Sequence, residues 1–495
     1  MEISTIYYKN ILGLLIVTFL LAMLLTPLIL AEADSGDAML TYAVDIGESG
    51  NDYAWGVART DDGFISAGYT DSYGGVSALV VKVRDNTPLP LIEWEETIGT
   101  SNGNEKTYDI ARVGNYYVMA GWNQTSSYSG QPIVFTIDGN GSLISAKIMN
   151  FGGANGWIFR VIPSSNDSYI LVGYDSSFSV IALKMNVYGS VIWSKSYSSS
   201  DYLYLYGSAL DYNTGVLYVA ANEWIAGKSV ILAINSTNGN LIWNKEMIIS
   251  GSGSYVTMGV EVDSHDIVLL GYNVTSGNRD GFIVKISPQG VPLWGYVFGT
   301  SPCEVPMDAV IENQSILLTG YTQIGSMHGN NAFIAEINGN GGLSWFRVYG
   351  GNGDDWFYRL LASNDSITGL GGTNSFTGND DLLIMKLSPN GELWGCNLTE
   401  TLNENMINYR SVNITVDTVS ISTNNITASI SDYPAQVKHV SMPFKYICPK
   451  PPAQNIVGGK LIPLERNHYQ LDLTVSSLLA LSVLSLILIT KKSYV

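Results

Sequence analysis

The chain is short of the residues that most chemistry needs. Among 495 residues there are three cysteines and four histidines. Three cysteines are too few for a disulfide scaffold, and none of their spacings suits a zinc site. His265, His328, His439 and His468 lie far apart without ligand spacing, so each reads as a surface or turn residue. Charged residues make up only 14%, and 25 Lys plus Arg stand against 43 Asp plus Glu. The net charge of −18 disfavours nucleic acid, because phosphates need a positive field. There is no HExxH, GxSxG or CxxC, and no glycine-rich loop between a strand and a helix. No cofactor is expected, with calcium left open.

Long apolar runs occur only at the ends. Residues 11–30 are nearly all apolar, Lys9 precedes them, and Ala31-Glu32-Ala33 follows as a cleavage candidate. Residues 1–33 therefore read as a signal peptide, with an uncleaved anchor as the alternative. Leu473–Thr490 is long enough to span a hydrocarbon core of about 30 Å. Lys491 and Lys492 follow it and would lie in the cytoplasm. The expectation is a transmembrane helix over 471–490, a stalk over 449–470 and a cytoplasmic tail over 491–495. The body would then be exported and held at the cell surface, with the membrane as its partner through the C-terminal helix.

Glycine is what the chain has in quantity, at 51 residues. Many are periodic. Gly68, Gly121, Gly173, Ala221, Gly271, Gly320 and Gly371 form a column with gaps of 48 to 53 residues. After each comes an apolar run such as "ALVVKV", "FIVKIS" or "LLIMKL", then in most units a turn glycine, and in all but the second a tryptophan: Trp94, Trp193, Trp243, Trp294, Trp345 and Trp394. Such periods mark repeat architectures, and short β-branched runs bounded by Gly, Asn and Ser read as buried strands. Each unit supplies four short strands and cannot bury both faces of its sheet alone. Radial packing solves this, with each Trp as a wedge between blades whose N–H is hydrogen-bonded. The fold class expected is all-β: a seven-bladed β-propeller over 40–399, a small β-rich C-terminal extension and the C-terminal transmembrane helix. Tyr42–Gly47, "YAVDIG", matches "WGYVFG", so eight copies of the last strand compete for seven places. The N-terminal copy is expected to close the ring.

In segments such as "FRVYGGNGDDWFYRLL" and "LLIMKLSPNGELW", the units resemble secreted bacterial and archaeal β-propeller repeat proteins. The resemblance covers about 360 of 495 residues. It implies an exported propeller and no particular activity. "AINSTNGNLIWNKE" also resembles a quinoprotein repeat, but the adjacent cysteine pair common in that class is missing. The segment 400–448 alternates apolar with Ser, Thr, Asn or Asp and is similar to the cysteine-bracketed tails of some archaeal surface propellers. An exported chain meets an oxidising compartment, so a Cys396–Cys448 disulfide is expected, leaving Cys303 as a thiol.

Three sets of residues are candidates for function. "ESGNDY" and "NGDDW" resemble fragments of calcium loops, with Asp52 and Asp355 the metal candidates, although no EF-hand pattern is complete. At the start of the first strand of six units stand aromatic residues, chief among them Tyr53, Trp55, Tyr108, Trp157, Tyr204, Trp356 and Tyr358. Such rings suit sugar or peptide binding at the channel mouth, or else they wedge between blades. Ten sequons, at Asn123, Asn140, Asn166, Asn235, Asn273, Asn313, Asn364, Asn397, Asn413 and Asn425, offer glycosylation in an exported protein. The reading is a surface binding module for a glycan, an envelope component or a partner protein. The alternatives are an extracellular carbohydrate-active enzyme on the same scaffold, or a structural coat.

Overall fold

A computed structural model describes residues 41–448, apart from 87–88, 102, 127–128, 152–154, 251–252, 276 and 300–302, together with 456–457 and 460–461. The expected signal peptide, most of the stalk, the transmembrane helix and the cytoplasmic tail lie outside these residues. Among the described residues no helix is long and apolar enough to cross a membrane. Later in the chain, Ile456–Val457 and Lys460–Leu461 pair antiparallel.

Residues 42–448 form seven antiparallel sheets, as the glycine column requires. The innermost strands are Asp52–Arg59, Glu105–Val113, Gly156–Pro163, Leu203–Asp211, Ser254–Asp263, Glu304–Glu312 and Asp355–Ala362. Blades are numbered one to seven in that order. The third strands are buried almost throughout, as Ser229–Asn235 is in all but its last residue, because neighbouring sheets cover both of their faces.

The tryptophan column works as a wedge between blades. Trp193, Trp243 and Trp294 donate their indole N–H to the carbonyls of Ser236, Pro288 and Gly339, each in the next blade, at 3.0 to 3.1 Å. Each ring also lies on the turn glycine of that blade. Gly239 has φ +72°, and a Cβ there would sit 2.7 Å from the Trp193 ring. That position therefore demands glycine both for its backbone conformation and for the close approach. Blade two has no Trp at this place, and the Lys147 stem meets Gly189 instead.

Trp94 and Trp345 lie on Gly141 and Gly391 in the same way, yet their indole N–H meets no acceptor among the described residues. Trp394 leaves the column altogether. The N-terminal strand Tyr42–Ile46 takes the fourth place in blade seven, pairing with Asp381–Leu387. Trp394 is therefore outside any strand and 48% exposed. The wedge role expected of it passes to Tyr42. Tyr42 faces Lys386 as Trp294 faces Lys285, and its hydroxyl donates to Asp85 of blade one at 2.7 Å.

The segment 400–448 does not form a module beside the ring. It is laid around it as a belt. Its seven strands are Thr399–Leu402, Arg410–Ser411, Ile414–Asp417, Ser422–Asn425, Ala428–Asp432, Gln436–His439 and Phe444–Cys448. Each adds a fifth, outermost strand to one blade, in the order six, five, four, three, two, one, seven. The belt thus makes one lap against the direction of the chain. Its alternation puts apolar residues inward: Leu402, Ile407, Val440 and Met442 are buried at the outer ends of the blades. It also supplies a missing group. Tyr197 and Tyr349 each donate a hydroxyl to a turn carbonyl of the next blade, Gly239 and Gly391. In blade five that place is held by Phe298, and belt residue Tyr409 donates to Gly341 at 2.6 Å instead.

The lap ends where it began. Cys448 is bonded to Cys396, 52 residues earlier, with Cα atoms 5.9 Å apart. The last belt strand pairs with Tyr42–Ile46, so three separate stretches of chain are fastened in blade seven. Cross-linking a loop of this length removes about 4 kcal/mol of unfolded-state entropy in the chain-entropy model. Cys448→Ser is expected to lower the melting temperature and to let protease cut residues 399–448 before the blades. Unchanged melting and an uncut belt would refute that fastening role.

The clasp strand also carries a buried acid. Asp45 is 1% exposed, and neither of its carboxylate oxygens meets a donor among the described residues. Burial, then neighbouring Asp381, push its pKa up to about 7, against an opposing pull from Lys445. Glu95 and Glu304 are raised by burial to about 7 and about 8. Unfolded, such groups titrate near pH 4. The folded chain therefore holds these protons more tightly. The stability they contribute is complete below about pH 4 and is lost as pH rises through 7 to 8. The melting temperature should fall over that interval, and Asp45→Asn should flatten the fall and raise melting at pH 7.5 by several degrees. A variant that melts lower than the parent at pH 7.5 would contradict this assignment.

Candidate functional site

All seven innermost strands carry a β-bulge at the same place. The pairing register skips one residue in each: Trp55, Tyr108, Phe159, Tyr206, Met258, Met307 and Tyr358. A bulge re-aims the side chain it carries. These seven large side chains stand at one level of the ring, and the next residues in each strand form the level below: Gly56, Asp109, Arg160, Gly207, Gly259, Asp308 and Arg359. Here the strands crowd together, and a Cβ on Gly56 would lie 2.7 Å from the Asp109 backbone.

The aromatic members of the upper level join a wider network. Trp55 stacks on Tyr358 at 3.9 Å, across blades one and seven. Contacts then run Trp55–Tyr108 at 5.8 Å, Tyr108–Phe159 at 5.0 Å, Phe159–Tyr174 at 5.5 Å and Tyr174–Phe178 at 5.8 Å. All seven aromatic candidates belong to it: Tyr53 meets Trp55, Trp356 meets Tyr358, Trp157 meets Tyr174, and Tyr204 meets Tyr206, which meets Phe159. Most are half-buried, so the same rings pack between blades and show a face to the channel mouth. A cavity of about 350 Å³ opens there, lined by Tyr53, Trp55, Tyr69, Tyr321, Trp356 and Tyr358 with Asn330 and Asp380. Tyr53 donates its hydroxyl to Asp380 at 2.7 Å. Burial, then that carboxylate, raise the Tyr53 pKa, so the phenol stays protonated.

Several rings at the mouth escape a reading of first-strand positions. Tyr69, Tyr174 and Tyr321 follow the column glycines on the second strands. Tyr69 and Tyr174 are the cross-strand partners of Tyr53 and Trp157. The signal was present as the aromatic that follows five of the seven column positions. Phe178 and Trp224 lie in loops without a repeated counterpart, 37% and 69% exposed, beside Tyr202 at the entry to the fourth unit's first strand, 52% exposed.

Below the bulges the channel gathers charge. Asp109, Arg160, Glu261, Asp308 and Arg359 line a cavity of about 400 Å³. Asp109 and Asp308 each accept a backbone N–H from the next blade, of Val161 at 2.9 Å and of Leu360 at 3.0 Å. Arg160 donates to the Tyr206 carbonyl, and Arg359 lies 3.8 Å from Asp109. Burial, then the charge of Asp308, push Glu261 up to about 8, which keeps it protonated near neutral pH. Burial, then Arg160, lower the Arg359 pKa. These five residues come from different repeats, so no local spacing announces them.

Asp52 and Asp355 take a structural part. Asp52 accepts the Glu48 N–H and the Ser72 hydroxyl. Asp355 accepts the Gly351 N–H and the hydroxyls of Thr373 and Ser375, at 2.5 to 2.8 Å. These donors hold the turn that leads into the first strand. No group of three or more His, Cys, Asp or Glu among the described residues is placed to hold a metal. His265 and His439 face Asp211 and Glu96 separately.

The sequons divide by position. Asn140, Asn166, Asn313 and Asn364 are exposed in turns at the end of the channel opposite the aromatic mouth, and Asn235 is half-buried at that end. Asn397, Asn413 and Asn425 are exposed in the outer region. At the mouth end Asn123 is half-buried, and Asn273 is buried within its strand.

No family model matches this chain, and no curated protein does. Solved structures resemble it weakly. Sqt1 of Saccharomyces cerevisiae aligns at 9% identity and TM-score 0.41, over 71% of this chain and 99% of that one. Sqt1 of Chaetomium thermophilum aligns at 11% and 0.44, over 73% and 88%. The oligogalacturonate lyase of Vibrio parahaemolyticus aligns at 9% and 0.39, over 70% and 92%. At such values the seven-bladed assignment rests on this chain's own strand order, and no activity passes from these proteins to it.

Proposed function

We propose that this protein is a binding module whose ligand surface is the aromatic end of the channel. In the wider reading the exported body is tethered at the cell surface by its C-terminal helix and holds a glycan, an envelope component or a partner protein. The observation that carries the proposal is the unbroken chain of ring contacts from blade seven to blade four. Its inner members are fixed by packing and its outer members are exposed. Aromatic rings present large apolar area at low ordering cost. The exposed turn sequons favour the same polarity: glycans attached at the opposite end would leave the mouth clear.

A second reading, a carbohydrate-active hydrolase or lyase, has the channel charges in its favour. Glu261, held protonated near neutral pH, is what a general acid requires, and Asp109 and Asp308 are carboxylates beside it. Against it, both aspartates and both arginines already serve one another or the backbone.

Alanine at Trp55, Trp157 or Trp356 should weaken ligand capture on a glycan array at least tenfold, about 1.4 kcal/mol. Melting should fall as well, because Trp55 stacks on Tyr358 across the seam and Trp356 is buried, so capture is compared for the folded fraction. A fall in melting with undiminished capture by the folded fraction would assign them to packing alone. Turnover of a captured glycan that Glu261→Gln abolishes would transfer the function to the enzyme reading.

A further inference from the structure

We infer that the ligand is an uncharged polysaccharide chain lying across the channel mouth and reaching the turn at Trp224–Ile225, an inference that rests on the aromatic mouth being the binding surface. The two ends of the ring network differ. At blades seven and one it is a walled cavity with ring faces and a hydrogen-bonding side, Asp380 and Asn330. A sugar ring has an apolar C–H face and an edge of hydroxyls, which match those two features. The Lys106 ammonium stands 4.7 Å over the Tyr69 ring nearby, and the one charged group that lines the cavity itself is the Asp380 carboxylate. It accepts hydroxyl donors strongly and repels uronate, sulfate or phosphate groups. The net charge of −18 opposes an anionic polymer at longer range as well.

At blades three and four the network emerges onto the surface. Phe178 meets Tyr202 at 5.3 Å, and Tyr204 meets Trp224 at 5.6 Å. Trp224 and Ile225 are 69% and 74% exposed, yet their turn is held rigidly. The Asp201 carboxylate accepts the N–H groups of Tyr202, Ile225 and Ala226 at 2.6, 3.0 and 2.8 Å. Phe178 is displayed from a backbone with φ +56°, a conformation L side chains adopt rarely. Rings fixed in advance lose little entropy when a ligand arrives. Between cavity and turn run the ring contacts Trp55–Tyr108, Tyr108–Phe159, Phe159–Tyr206, Tyr206–Tyr204 and Tyr204–Trp224. A single sugar would fill the cavity and leave the rest unused, whereas a chain covers both ends.

The test is calorimetry on the intact body with neutral cello-, chito- and manno-oligosaccharides from disaccharide to octasaccharide, beside oligogalacturonates of equal length. For one neutral series, affinity should rise about tenfold or more with length. Trp224→Ala should remove that rise, while Trp394→Ala, outside the network, should retain it. Equal affinity for short and long members, or a rise that survives Trp224→Ala, overturns the chain geometry. Capture of the acidic series alone, lost in Trp356→Ala, overturns the uncharged class but upholds the mouth as the binding surface. Failure to bind any oligosaccharide overturns the inference. Capture of a purified protein that Trp55→Ala abolishes would then show that the mouth still binds, with a protein as its occupant.

Discussion

The structure depends on how the ring is closed. A propeller is a circle made from a line, and its last blade must join its first without a covalent bond between repeats. Here blade seven is assembled from three distant pieces of chain. Tyr42–Ile46 lies between Asp381–Leu387 on one side and Phe444–Cys448 on the other. Tyr42 carries the closure into blade one through Asp85. The disulfide joins the start of the belt to its end, so the belt is a covalently closed loop around the blades. Every blade gains an edge strand from it. Unpaired outer edges invite association with other chains, and the belt covers a part of each.

Closure and site are linked through the inner strands. Neighbouring blades must approach closely at the channel, which explains glycine at positions 56 and 207. One bulge per blade turns a large side chain toward the axis just above that constriction. The aromatic mouth is therefore continuous with the packing that holds the blades together, and a ring such as Trp55, stacked on Tyr358 across the closing seam, serves both. The charged level beneath it ties blades two, three, six and seven by hydrogen bonds and ion pairs and leaves Glu261 protonated at neutral pH.

Much of this was legible in the sequence. Seven glycines at intervals near fifty, apolar third strands and a tryptophan column fixed the architecture, because each is a local pattern repeated in register. "YAVDIG" at Tyr42 showed which strand closes the ring. The aromatic candidates were legible as first-strand positions, and all seven meet in one network. Trp394 was misjudged because its motif is intact while its place is taken by a competing copy. Asp52 and Asp355 resembled metal ligands because turn-holding carboxylates and calcium loops share the same residue types.

The sequence by itself determined the blade, the number of blades and the chemistry at strand starts, since these follow from periodicity and from residues near one another in the chain. Only the tertiary structure decided the rest. The belt's strands are too short to declare partners, and each is specified by the edge it meets far away. The charge cluster of Asp109, Arg160, Glu261, Asp308 and Arg359 draws single residues from five repeats. The rim of Phe178, Tyr202 and Trp224 joins three loops of blades three and four. Such sites exist only once the circle is closed, because closure is what brings residues fifty or more positions apart to one axis.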